Sequence, residues 1–380
     1  MVIKWSYSYW FVWSLVDATT YRIQYRWNGG EWTDAPGNPL LVVDDSADEE
    51  YVSRYSPHYT RYVSAGNPAA QAPYTSWATA AATIQDAIDV SQTADLVIVA
   101  DGVYDAGGAV IQGTMTRVAV NKAISVRSAN GPHNAIIMGN GPMGPDAVRC
   151  AYVCNSALFG GFTLTNGAVN PESGTNAIGG GLLAGQYGGV ANSIVRSCAA
   201  SSGGGVAGGN LNNCLVAGNT ASGAGGGTFR SGLGNSTIAD NTAAIAGGCF
   251  GGYLYSCISW HNTTNGQPSN FEFEPDSWVW CSCVTPAAPG YMNITNDPAF
   301  LDRSAFDYRL PAASPCVDRG AGSASWALDI DHGPRIVNFA TDMGAFEYAA
   351  EPPPPWGVRV AAPLRGGMRV SWDAAPRATS

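Results

Sequence analysis

The chain has 380 residues, of which 13% are charged, and a formal net charge of −10. An acidic chain whose only lysines are Lys4 and Lys122 offers no basic patch for nucleic acid or an anionic membrane surface. Its 46% hydrophobic content argues against intrinsic disorder, and 47 glycines are the main compositional excess.

From the N-terminus, residues 5–16 form the longest apolar stretch. It is too short for a transmembrane span and carries Ser6, Tyr7, Ser8 and Tyr9. It also makes a poor signal peptide, because a strand-like run over 21–27 follows with no clear cleavage site. That run, with Gly29-Gly30-Glu31-Trp32 after it, looks like the middle of a β-sandwich, so residues 1–60 are expected to form a partial sandwich-like segment. Residues 79–90 predict an amphipathic helix with Ile84, Ala87 and Ile88 on one side. The apolar run Leu96-Val97-Ile98-Val99 follows at once. A helix there would cover the open end of a stack of coils, which solenoids require. Strands are predicted over 123–127, 134–138, 152–154 and 162–165, with 167–177 an irregular insertion on a turn.

A repeat then takes over. Gly-Gly-Gly-Leu starts at Gly179, Gly-Gly-Gly-Val at Gly203, Gly-Gly-Gly-Thr at Gly225 and Ala-Gly-Gly-Cys at Ala246, with offsets of 24, 22 and 21 residues. A second landmark starts at Asn192, Asn213, Asn235 and Ser256, with offsets of 21, 22 and 21. A unit of about 22 residues with two short β-runs and glycine turns is too short for a helical-pair repeat and suits one coil of a parallel β-helix. Each coil would stack about 4.8 Å above the last. Ser193, Cys214, Ser236 and Cys257 form a column of small residues, and Val195, Val216, Ile238 and Ser259 align two positions on. Period two puts both columns on one face, read as the interior. Cys198, Asn219, Asn241 and Asn262 align next, where the three asparagines are placed to stack as an amide ladder.

The predicted fold is therefore all-β, a right-handed parallel β-helix over 61–348 with an N-terminal capping helix. Ser76-Trp77-Ala78-Thr79, Thr83-Ile84-Gln85-Asp86-Ala87-Ile88, Asp101-Gly102-Val103-Tyr104 and Gly161-Phe162-Thr163-Leu164 resemble the opening of bacterial right-handed parallel β-helix repeat proteins. Asp297-Pro298-Ala299-Phe300, Ser314-Pro315-Cys316-Val317-Asp318 and Asp342-Met343-Gly344-Ala345-Phe346-Glu347-Tyr348 resemble their ending. The type resembled is choice-of-anchor Q, within the pectate-lyase-like superfold. The glycine and asparagine repeats are also similar to chlamydial polymorphic outer-membrane proteins. The resemblance implies an extracellular or cell-surface bacterial protein and carries over no catalytic residue, since such families share a scaffold more than a chemistry. Residues 349–355 form a stiff proline-rich linker, and 356–380 resemble the first two strands of a fibronectin type III domain. The chain is thus expected to be an excerpt of a longer surface protein with further modules.

Nine cysteines leave at least one unpaired within the chain. Cys214 and Cys257 lie two coils apart, about 9.6 Å at two β spacings, beyond the reach of a disulfide. Most cysteines read as small core residues; Cys150 with Cys154, or Cys316 with a neighbour, are the candidate bridges. Four histidines, none spaced with paired cysteines, argue against zinc.

Between Asn155 and Asn270 the charged residues are Glu172, Arg196, Arg230 and Asp240. A calcium-dependent lyase needs clustered carboxylates and a cation as base, and a glycosidase needs two facing carboxyl groups. Asp240 and His261 align a coil apart as a candidate exposed pair. In Trp278-Val279-Trp280-Cys281-Ser282-Cys283, alternation sends Val279, Cys281 and Cys283 inward and Trp278 and Trp280 outward. Column alignment also sends Trp260 outward, so Trp260, Trp278 and Trp280 are a candidate sugar platform, unless the C-terminal segment or a further module covers them. The acids of the C-terminal segment are expected to cap turns while it closes the stack. Asp329 and Asp331 are weak calcium candidates, and no cofactor is required.

Three function classes follow. The first is a non-catalytic secreted or cell-surface module, adhesive or carbohydrate-interacting, with a polysaccharide or cell-surface glycan as partner. The second is a polysaccharide-degrading enzyme, lyase or glycoside hydrolase, whose sign would be Arg196, Arg230 or Lys122 converging with carboxylates in one groove. The third is a purely architectural envelope protein. Low charge in the coils favours the first over the second.

Overall fold

The computed structural model describes residues 59–321, 328–337 and 340–348. Two antiparallel pairs are described besides, Gln24–Tyr25 with Thr33–Asp34 and Arg359–Leu364 with Gly367–Ser371. The β-sandwich and fibronectin-like readings of the two ends otherwise lie outside the described residues.

The main body is a parallel β-helix, and the right-handed sense is that of nearly all parallel crossovers. Each central coil holds four strands, not the two expected. One coil runs through Val206–Ala207, Asn210–Asn212, Leu215–Ala217 and Thr220–Ala224. The next runs through Thr228–Phe229, Gly232–Gly234, Thr237–Ala239 and Thr242–Ile245, each strand parallel to its predecessor. Strands of two or three residues show too few alternations for a period-two signal to emerge from sequence. Stacking makes a first sheet of eight strands, a second of nine, a third of eight and a fourth of five.

Three inward columns form the core. In the first sheet Val118, Ala151, Leu182, Val206, Thr228, Cys249 and Phe271 lie in register. In the second they are Val126, Phe159, Val190, Leu211, Leu233, Leu254 and Val279. In the third they are Ile137, Leu164, Val195, Val216, Ile238, Ser259 and Val284. Nearly all are fully buried, each large aliphatic contributing about 1.5–3 kcal/mol.

The corners explain the repeat's spelling. Asn192, Asn213, Asn235 and Ser256 hold φ of 47°, 51°, 45° and 55° between the second and third sheets, a left-handed conformation that asparagine tolerates better than most. Gly226 sits where a Cβ would run into the carbonyls of Thr242 and Gly247 on the next coil, so the glycine run permits the coils' close approach. After the third sheet, the buried asparagines form the expected ladder. Asn241 Oδ1 accepts from the Asn219 backbone N–H at 2.9 Å and from its side-chain amide at 3.0 Å. Asn262 Oδ1 serves Asn241 in the same way, at 3.0 and 2.8 Å. Asn270 continues the ladder, its Oδ1 accepting from Asn262 N at 3.0 Å.

The capping helix is shorter than predicted, Ile84–Val90, because Thr83 is its N-cap and accepts from Asp86 N at 3.2 Å, while Ala81 bridges to Val63 as part of a strand-like turn. Ile84, Ala87 and Ile88 close the apolar end. Lys122 Nζ donates to the carbonyls of Ile88, Asp89 and Ser91 at 2.8–2.9 Å, satisfying the helix C-terminus. The insertion over 167–177 contains the 3₁₀ segment Pro171–Asn176.

The C-terminal segment over 297–348, hereafter the strap, does not close the stack as expected. The last coil is crossed instead by residues 286–294, with Ile294 bridged to Cys283. The described residues of the strap lie along the outer face of the third sheet. The reason is the outward column there, Ile194, Leu215, Thr237 and Ile258, which is mostly apolar and would otherwise face water. Tyr308, Ile330, Ala345 and Phe346 cover one end of it, and Leu310, Cys316 and Met343 the other. Backbone hydrogen bonds fix the strap further, Gly344 N to Ser256 O at 2.9 Å and Ala345 N to Thr237 Oγ1 at 3.0 Å.

Candidate functional site

Over its last coils the outer face of the second sheet is left open by the described residues. Two outward columns run up it: Gly189, Asn210, Gly232, Tyr253 and Trp278, and Ala191, Asn212, Gly234, Tyr255 and Trp280. Small and polar residues thus give way to aromatics over the last two coils. Tyr253 and Trp278 stack face to face, with centroids 4.7 Å apart and planes at 8°. Tyr255 meets Trp278 edge-on at 6.4 Å, and Trp280 lies 5.4 Å from Trp278 at 53°. Trp278 and Trp280 remain 36% and 49% exposed, enough open ring surface for a ligand to stack on.

Tyr253 is held flat by what is absent beneath it. A Cβ at Gly232 would collide with the Tyr253 ring, so glycine lets the ring lie on the sheet, and its hydroxyl donates to Asn210 Oδ1 at 2.7 Å. Burial raises the pKa of both Tyr253 and Tyr255, which keeps them as neutral phenols. Beside this ledge lies a shallow, open depression lined by Arg230, Gly252, Glu274, Pro275 and Asp276. Arg230 grips Glu274 with a two-point fork, Nε to Oε2 at 2.7 Å and Nη2 to Oε1 at 2.6 Å. That hydrogen bonding holds Glu274 below the usual carboxylate range. The site therefore joins exposed aromatic rings to fixed polar groups.

Trp260 does not belong to this ledge. Its side chain points outward as predicted, but from the third sheet, and the strap reduces its exposure to 8%. Cys281 and Cys283 also depart from the alternation that placed both in the core. The chain turns a corner at Cys281, whose φ is 48°, and Ser282 takes the column of Cys257, so Cys283 points outward beneath the strap. All nine cysteines are free thiols, Cys150 and Cys154 included.

Asp240 and His261 are not paired with each other. Asp240 accepts from Arg303 Nε at 3.0 Å, from Arg303 Nη2 and from the Tyr308 hydroxyl at 3.0 Å. His261 lies 3.9 Å from Asp297 and against Trp260 and Phe300, with burial first and Arg303 second lowering its pKa. Both residues therefore hold the strap down. Asp329 and Asp331 also diverge. Asp329 accepts from the backbone N–H of Gly333 at 2.7 Å and of Glu347 at 2.9 Å, while Asp331 faces His133 at 3.3 Å and Arg309 at 3.8 Å. Among the described residues no three His, Cys, Asp or Glu side chains gather as a metal site.

The three cations considered for catalysis stand apart. Lys122 caps the helix, Arg230 is forked to Glu274, and Arg196 lies 5.2 Å over the Phe306 ring. Sequence reasoning missed Tyr253 and Tyr255, although Tyr253-Leu254-Tyr255 alternates like Trp278-Val279-Trp280 and sits one coil before it. It also missed Glu274, which meets Arg230 across 44 residues and leaves no local pattern.

No protein-family model matches the chain, and no curated protein sequence is detectably similar to it. Among solved structures it is similar to a pectate lyase, Pel9A, at 13% identity and a TM-score of 0.39, over 78% of this chain and 98% of that one. It is also similar to a pectin methylesterase variant in complex with a hexasaccharide, at 11% identity and a TM-score of 0.29, over 62% of this chain and 93% of that one.

Proposed function

We propose that this chain is a non-catalytic polysaccharide-binding β-helix module that works outside the cell or at its surface, with the ledge of Tyr253, Tyr255, Trp278 and Trp280 as its sugar-contacting face. The observation that carries the reading is the stacked, open aromatic cluster on an otherwise small and polar sheet face, bordered by the Arg230–Glu274 fork. Rings packed against one another on a rigid sheet lose little conformational entropy when a ligand docks. Arg196, Arg230 and Lys122 are each engaged at separate places, so the geometry gives a lyase or hydrolase reading no comparable support.

The test is retardation of the full chain in gels containing neutral and acidic polysaccharides, comparing wild type with Trp278→Ala/Trp280→Ala. Wild type is expected to be retarded by at least one polymer and the double variant to lose at least tenfold in affinity with an unchanged far-ultraviolet spectrum. Equal retardation of both proteins would sink the ledge. In parallel, ultraviolet absorbance of unsaturated products is expected to stay flat with calcium and with chelator. A calcium-dependent rise would replace the binding reading with a lyase.

A further inference from the structure

The strap meets the last coil at two thiols. Cys283 projects outward from the final strand of the third sheet, one place above Ile258. Cys316 comes from the strap. Both are fully buried, in one apolar cluster with Ile258, Trp260, Leu310 and Met343. Within that cluster, hydrogen bonding with Cys316, and then burial, push Cys283 well above its ordinary pKa. Backbone contacts hold each partner in place. Cys283 Sγ donates to Asn296 O at 3.1 Å, Cys316 N donates to Ser314 Oγ at 3.2 Å, and Cys316 O accepts from Met343 N at 3.0 Å.

The other cysteines are placed differently. Cys214 and Cys257 lie in one interior corner column, Cys249 faces inward from the first sheet, and Cys150 meets Cys198 within the coils. Cys283 and Cys316 alone join a coil to the strap.

We propose that Cys283 and Cys316 form a disulfide that locks the strap onto the third sheet, the structure showing its reduced state. The oxidant is a small-molecule disulfide such as oxidised glutathione. One cysteine attacks it as thiolate and releases one glutathione thiol. The second cysteine then attacks the mixed disulfide and releases the other. The two cysteines lose two electrons and two protons, and glutathione disulfide gains both. In the docked strap both sulfurs are fully buried, out of reach of soluble thiols, so the bond closes while the strap docks and is shielded from reductant afterwards.

The experiment refolds the full chain from denaturant with reduced and oxidised glutathione, alkylates free thiols, and maps peptides without reduction. A Cys283–Cys316 peptide is expected as the dominant cross-link. The melting temperature of oxidised protein is expected to exceed that of reduced protein by about 5–15 °C. Cys316→Ser should abolish both the cross-link and the oxidant-dependent shift. A dominant Cys150–Cys198 link, alkylation of both Cys283 and Cys316 after oxidation, or their recovery only as glutathione adducts would each overturn the proposal. Peptide mapping of wild type needs no variant to fold, so the result stands even if Cys316→Ser does not.

Discussion

The second and third sheets carry strands of similar length from the same coils, yet their outer faces have opposite fates. The third presents Ile194, Leu215, Ile258 and Trp260, and the strap covers them. Over the last coils the second presents Asn210, Asn212, two glycines, two tyrosines and two tryptophans, and among the described residues nothing covers them. The difference teaches that an outward aromatic is not in itself a binding residue. Trp260 and Trp278 both point away from the solenoid axis, and what decides between them is the company each keeps. A tryptophan among aliphatics calls for a protein cover, whereas one among glycines, asparagines and tyrosines leaves a flat amphipathic surface that water and sugar can share.

The sharpest way to break this comparison is to truncate the covered tryptophan. Trp260→Ala is expected to cost about 3–5 kcal/mol by urea denaturation, since it empties a packed site under the strap. Trp278→Ala, at a half-open site, is expected to cost less than about 1 kcal/mol. Equal costs would mean that the strap does not seal the third sheet.

The asparagine ladder is the next largest lever, because it joins coil to coil at the corner after the third sheet. Asn241→Ala deprives the Asn219 backbone N–H and the Val216 carbonyl of their partners inside the solenoid. A loss of about 2–3 kcal/mol is expected in the same denaturation assay. A neutral outcome would show that water takes the amide's place.

These two variants also mark what was legible in the sequence. Inward columns and corner asparagines could be read because stacked coils put like residues at like offsets, and both landmarks repeat every 21–24 residues. Asn270 could not be read as the ladder's last rung. The hairpin of Thr263–Thr264 with Gln267–Pro268 shortens its spacing from Asn262 to 8 residues. The strap's path was hidden for a related reason. Leu215 and Val216 are both apolar, and alternation alone cannot separate a core column from an outer column that another segment covers. Of the proposed platform, Trp278 and Trp280 were accessible by simple alternation, whereas the burial of Trp260 depends on Leu310 and Met343, at least 50 residues away.

A smaller effect comes from charges buried within the strap. Asp329 is raised to about 7 by burial and then by Asp331, and Glu347 to about 8 by burial and then by Asp342. Arg335, buried beside them, is lowered by burial, and Asp342 is raised by it. His332 is pushed down to about 4, by burial and then by His133, so below pH 6.5 it opposes the acids. Above pH 6.5 the unfolded histidine has released its proton and the unfolded carboxylates are already ionised. Only the folded Asp329 and Glu347 still release protons, so the folded state binds more protons than the unfolded one and stability falls as pH rises. A loss of about 2 kcal/mol is expected between pH 6.5 and 8, and Glu347→Gln should flatten most of it. Amide hydrogen exchange, corrected for its intrinsic pH dependence, would locate that loss in the strap and leave the second sheet unchanged. A uniform response along the solenoid would contradict this assignment.

The smallest expected change in stability tests the open face most directly. Gly232→Ala adds one methyl where the Tyr253 ring lies, and the ring must lift away from Asn210 and from its stack on Trp278. Losing that contact is offset by the reduced chain entropy that alanine brings to a strand, so the urea midpoint should shift by less than the equivalent of about 1 kcal/mol. Binding should respond more strongly, because a lifted ring breaks the flatness on which sugar stacking depends. A three- to tenfold loss of polysaccharide affinity with near-native stability would place Tyr253 in the contact surface. Unchanged affinity would confine the ligand to Trp278 and Trp280, at the last strand of the sheet.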